Sequence, residues 1–216
     1  MSISISQPSN LSPNEYEVCI CSNMVLATVT NSPKVVDKWI SEIKPFSRDR
    51  LIVGLATETV CQGNPALATL QLCVWNRCLI FELNHCSKIP MSLILFLYDP
   101  NKLFVGVGVA DNIRKLKDKY SLYVSNTVDL ASVANSEPPL KPKKGMMNMT
   151  FLRFLAKMVL NWDINEKPTN IILSRWDNQS LSHEQIKYAC ADAFLSSEIA
   201  RVWVKIIESY VRSKQN

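Results

Sequence analysis

Leu51-Ile52-Val53-Gly54-Leu55-Ala56-Thr57-Glu58 is an unbroken apolar run that closes on a single acid. Its length suits a strand buried on both faces. Side chains alternate along a strand, so positions 56 and 58 share one face. N-terminal to it, residues 16–22 and 25–30 read as two short strands around Asn23, rich in β-branched residues. Ser32-Pro33 then supplies an N-cap and a proline at the first helical position, opening a helix to about Ile43. C-terminal to the run, residues 68–75 and 78–83 pair as a hairpin about Asn76-Arg77, residues 88–97 read as a helix, 103–109 as a strand and 111–120 as a helix. Helical spacing returns at 150–160, with Phe151, Phe154, Leu155 and Met158 on one face. Ser182 and Gln185 form a capping box before a helix running through Tyr188, Phe194, Ile199 and Val202 towards Tyr210. Consecutive apolar strands need cover on both faces, so the order predicts an α/β sandwich with a mixed sheet.

Length and composition narrow the function classes. The 216 residues suit one domain with short extensions: a flexible segment over 1–15, a single domain over 16–210 and a tail over 211–216. With 47% apolar residues and only 5 Gly, disordered and collagen-like readings fail. The longest apolar stretch, around 89–98, is shorter than the ~20 residues of a bilayer span. The first eighteen residues are polar and hold Pro8 and Pro13, so no secretory core is expected there. An intracellular protein, nuclear or cytoplasmic, with no membrane partner is the expectation. The 7 cysteines form no CxxC and have only His85 and His183 beside them, which argues against a zinc site. A nucleophile elbow and a P-loop are both missing, and Gly106-Val107-Gly108 lacks the third glycine of a dinucleotide fingerprint. The balance of +5 names no partner. Lys141, Lys143 and Lys144 in a Pro-rich loop, and Arg114 and Lys115 on the 111–120 helix, read as solvated charge or as contacts to nucleic-acid phosphate.

Three segments hold candidate chemistry. The first is the run ending in Glu58, and the second is Phe104–Asn112, which leads from a strand into a helix start with Asp111 and Asn112. The third is Tyr188-Ala189-Cys190-Ala191-Asp192, which places Tyr188 and Asp192 one helical turn apart on the same face. Asp is a poor interior helix former, and Asp192 lies in an apolar stretch.

In order along the chain, these segments resemble the Werner syndrome-type 3′–5′ exonucleases of the DnaQ-like, tyrosine-containing group, particularly their small plant members. The resemblance covers about residues 35–203. Further matches carry it: Ala68–Val74 with Arg77–Phe81, Asp99–Leu116, Glu166-Lys167-Pro168, Leu173-Ser174-Arg175-Trp176 and Leu181–Phe194. It implies an RNase H-like fold with a five-stranded mixed sheet flanked by helices. It also implies hydrolysis from a 3′ end of single-stranded RNA or DNA by two Mg²⁺ or Mn²⁺ ions, which clamp the phosphate and activate water. Carried over residue by residue, Glu58, Asp192 and Tyr188 match family positions as catalytic residues, with Glu58 and Asp192 as the residual metal ligands. Ala56 and Asn112 fall where the family has Asp. Asp111, or another acid such as Asp129, is a candidate substitute. Two separated losses read as decay of an inherited site. The expectation is an exonuclease-like, nucleic-acid-binding protein with weak or lost hydrolysis; the alternatives are an active exonuclease and a protein-binding scaffold. Oligomerisation, with itself or with an active relative, is also implied.

Overall fold

The run ending in Glu58 is the inner part of strand β4 (Leu51–Val60), on which the sheet is built. In the computed structural model, residues 2–43, 51–60, 66–136 and 151–213 are described. β4 pairs antiparallel with β5 (Ala66–Val74) and parallel with β7 (Lys102–Gly106). β6 (Arg77–Glu82) closes a hairpin with β5, and β8 (Thr127–Asp129) continues the sheet parallel to β7. The hairpin turn falls at Trp75-Asn76, one residue earlier than expected, with Trp75 left-handed at φ 54°.

The five strands implied by the resemblance are therefore present as a contiguous set, β6-β5-β4-β7-β8. The sheet itself has eight strands, because β3 (Asn23–Thr30) joins β6 in parallel and carries β2 (Glu15–Ile20) and β1 (Ile3–Ser6) on its far side. The expected flexible segment 1–15 thus contains an edge strand. Its Ile3 sits opposite Ile20 and is buried, so the alternation of Ile and Ser at 3–6 is a strand signal.

Both faces of the sheet are covered. Val53 and Leu55 of β4 pack in one layer with Trp39 and Ile40 of α1 (Pro33–Ile43), Phe96 of α2 (Met91–Tyr98) and Leu116 of α3 (Val109–Tyr120). Ile52 and Ala56 face the opposite layer, with Leu155 of α5 (Phe151–Leu160) and Ala189 of α7 (His183–Ser213). α4 (Leu130–Ser136) and the short α6 (Thr169–Ile172) join this second layer through Leu130 and Ile171. α2 starts at Met91, three residues later than expected. Pro90 caps it in extended conformation, and the residue before a proline avoids helical dihedrals. On α5 the buried set is Leu152–Ala156, while Met158, expected on the apolar face, is exposed.

Two local features set α7 against β4. The capping box forms as read: Ser182 N–H donates to Gln185 Oε1 at 2.9 Å, and Gln185 N–H donates to Ser182 Oγ at 3.3 Å. Gln185 Nε2 also donates to Ser174 Oγ at 2.9 Å, tying the helix start to the preceding loop. Further along, Gly54 lies directly beneath the helix, where a Cβ would stand 1.8 Å from the Ala193 carbonyl oxygen. Only glycine permits that approach, and it brings Asp192 to the face of β4 that carries positions 56 and 58. α7 then continues to Ser213, past the expected domain end at 210.

Candidate functional site

β4 brings Ala56 and Glu58 to the face beneath α7. The ladder to β5 shifts register between Glu58 and Thr59, leaving Ala68 as an extra residue opposite the acid. Such bulges re-aim neighbouring side chains. Across the ladder, Gln71 faces Ala56 and Thr69 faces Glu58, both fully buried, with Gln71 Nε2 donating to Thr69 Oγ1 at 2.5 Å. α3 brings Asn112 to the site from its first turn. Its start is fixed by Gly108 in the left-handed region at φ 67° and by Val109 N–H donating to Asp129 Oδ2 at 2.9 Å. Ala56, Thr57, Asn112, Phe151, Lys167, Asp192 and their neighbours line a cavity of about 320 Å³.

Glu58 and Asp192, the two acids singled out by the resemblance, are not open to this cavity as free ligands. Lys167 Nζ lies between them, donating to Glu58 Oε1 and standing 3.5 Å from Asp192 Oδ2. The ring of the buried Trp176 closes a third side, its centroid 4.7 Å from the same nitrogen. The second carboxylate oxygen of Asp192, Oδ1, pairs at 2.8 Å with the guanidinium of Arg153, whose side chain is 1% exposed. Two acids are thus matched by two buried cations supplied by the chain. Burial pushes the Glu58 carboxyl up to about 7 against the opposing pull of Lys167, with the Asp192 charge adding to the rise. The Lys167 ammonium is shifted upward, the two carboxylates outweighing the cost of its burial.

The other expected site residues scatter. Tyr188 is buried one turn before Asp192, with Lys187 Nζ 5.0 Å from its ring centroid. Asp111 does not substitute for the acid expected at 112. It is half exposed at the helix surface and held there by Arg114 and by Lys115 Nζ at 2.7 Å. One residue along a helix turns a side chain by about 100°, and that turn removes it from the cavity. Asp129 is spent on backbone amides, accepting from Val109 N–H at 2.9 Å and Ala131 N–H at 2.8 Å. Arg114 and Lys115, read as solvated charge or as phosphate contacts, are the partners of Asp111. Lys141, Lys143 and Lys144 lie outside the described residues.

Lys167 and Arg153 had no assigned role in the sequence reading. Arg153 left a trace, as the one charge inside Phe151-Leu152-Arg153-Phe154-Leu155. Lys167 stood inside the Glu166-Lys167-Pro168 match, but nothing there pointed to its partners, which are 109 and 25 residues away along the chain.

The residues present do not fit a pair of divalent ions. Ala56 offers no side-chain ligand atom, Asn112 no charge, and Glu58 Oε1 and both carboxylate oxygens of Asp192 are already engaged by Lys167 and Arg153. Among the described residues, no group of three or more His, Cys, Asp or Glu side chains could hold a metal.

No family model matches the chain. Its sequence is 28% identical over 177 residues to a mimivirus protein (Acanthamoeba polyphaga mimivirus) named as a 3′–5′ exonuclease, covering 78% of this chain and 43% of that protein. It is 30% identical over 137 residues to a 3′–5′ exonuclease of Arabidopsis thaliana, covering 63% and 45%. The chain thus spans less than half the length of these two relatives. Among solved structures, the Aedes aegypti Nibbler EXO domain superposes with a TM-score of 0.64 at 16% identity, covering 82% of this chain and 86% of that one. Brucella melitensis NrnC gives 0.61 at 16% identity, covering 78% and 79%. At that identity these two likenesses speak for the fold, a mixed sheet flanked by helices on both faces, as found here.

Proposed function

We propose that the chain is a DnaQ-like 3′–5′ exonuclease family member that has lost phosphodiester hydrolysis and acts by binding single-stranded nucleic acid near a 3′ end. One observation carries the loss: Lys167 Nζ sits between Glu58 and Asp192, the two acids that would hold a divalent ion. With Ala56 and Asn112 at the other two positions, the described site gathers no group of three or more His, Cys, Asp or Glu side chains that could hold such an ion. Nucleic-acid binding is supported more simply. The relatives are named as exonucleases, and a cavity lies between β4, α3 and α7.

The test is digestion of 5′-labelled single-stranded RNA and DNA with Mg²⁺ or Mn²⁺. The expected result is intact substrate, retained by the protein at low salt and released as salt rises, because phosphate contacts displace counterions. Laddering that Glu58→Ala or Asp192→Ala abolishes would contradict the loss of hydrolysis. A second reading, an oligomer subunit on the same fold, is favoured by one feature of α2. Met91, Leu95 and Tyr98 lie exposed on one side of that helix at spacings of four and three. Light scattering of the chain against a Leu95→Asp variant tests it, and identical masses would count against that face.

A further inference from the structure

Building on the reading of a lost metal site, we infer that Arg153 is a fixed internal cation on Asp192, so that restoring acids at positions 56 and 112 does not by itself restore metal binding. Two cations touch Asp192, and they differ in freedom. Lys167 lines the cavity on a flexible four-carbon stem, and its ammonium is shared between Glu58 and Asp192. Arg153 has no open side. Its side chain is 1% exposed, and it belongs to the buried part of α5 between Leu152 and Phe154.

A guanidinium stays charged at any pH the fold survives. Nε and NH1 of Arg153 have no hydrogen-bond partner among the described residues. Its NH2 nitrogen is 2.8 Å from Asp192 Oδ1, a close ion pair rather than a well-directed hydrogen bond, and this is the contact that meets its charge. A metal that took Asp192 Oδ1 would strand that charge inside the second apolar layer, beside Leu155 and Ala156. An uncompensated buried charge is among the costliest defects a fold can carry. Asp192 is therefore committed to Arg153, and Oδ2, shared with Lys167, is the oxygen left for any other cation. The defect in this site has two parts: two ligands are missing, and a retained ligand is occupied.

The test uses the full chain with both acids restored, Ala56→Asp with Asn112→Asp, alone and combined with Arg153→Met or Arg153→Lys. Mn²⁺ affinity is read by calorimetry, and folding by circular dichroism. The expected result is equally weak binding in the acid-restored double variant and its Arg153→Lys form, and binding at least about tenfold tighter with Arg153→Met, the scale on which neighbours of metal ligands tune affinity. Double-variant affinity equal to that of the Arg153→Met form would overturn the inference. Where the Arg153 variants do not fold, the double variant decides alone: saturable micromolar Mn²⁺ binding there overturns the inference, and its absence supports it. Metal-dependent digestion by the unmodified chain is a separate failure, since it would sink the reading of a lost site itself.

Discussion

At the scale of one residue, Glu58 is an acid held by burial and by a cation of the chain itself. Burial outweighs Lys167 and holds its carboxyl at about 7 rather than at the ordinary 4.5. The fold therefore prefers the protonated acid. The resulting stability is present at low pH and is lost as pH rises through about 7, the reverse of the usual carboxylate behaviour. Glu58→Gln removes that dependence. Relative to the variant, the melting temperature of the unmodified chain should fall as pH rises from about 4.5 to about 7. Parallel profiles for the two proteins would argue that Glu58 does not titrate in the fold. At this scale the acids were legible in the sequence, since Glu58, Asp192 and Tyr188 lie in short motifs. Their counter-ions were not, because neither periodicity nor spacing says which distant cation a loop or helix will deliver to a buried acid.

Elements were more readable than side-chain partners, and where they were misread the reason is local. The strand ending in Glu58 and the capping box of α7 followed from hydrophobic pattern and cap chemistry, which act within a few residues. β8 is only Thr127–Asp129, too short to show alternation, and the edge strand at Ile3–Ser6 was hidden by its polar surroundings. Two substitutions test the contact between α7 and the sheet. Gly54→Ala places a methyl 1.8 Å from the Ala193 carbonyl oxygen, a position that relaxation can relieve only by moving the helix or strand. Chemical denaturation should show a loss of about 3 kcal/mol or more. Ser182→Ala removes one arm of the capping box and should cost about 1 kcal/mol. If the two losses were alike, Gly54 would not be the residue that sets the helix against β4.

Across the whole molecule, the five-stranded mixed sheet that the resemblance implies is present and widened to eight strands, and the two acids beneath α7 are matched by cations from the chain itself. β4 receives α3 from one end and α7 across its face, and a cavity lies between them. The opposed acids now hold Lys167 and Arg153, and the fold is expected to need no divalent ion for its stability. A melting temperature unchanged by chelator and by added Mg²⁺ or Mn²⁺ would agree with that, because a ligand that binds only the folded state must raise it. The most direct measurement is calorimetric titration of the unmodified chain with Mn²⁺ at neutral pH. The expected result is no saturable heat up to millimolar ion. Two saturable sites, both lost in Asp192→Ala, would contradict it.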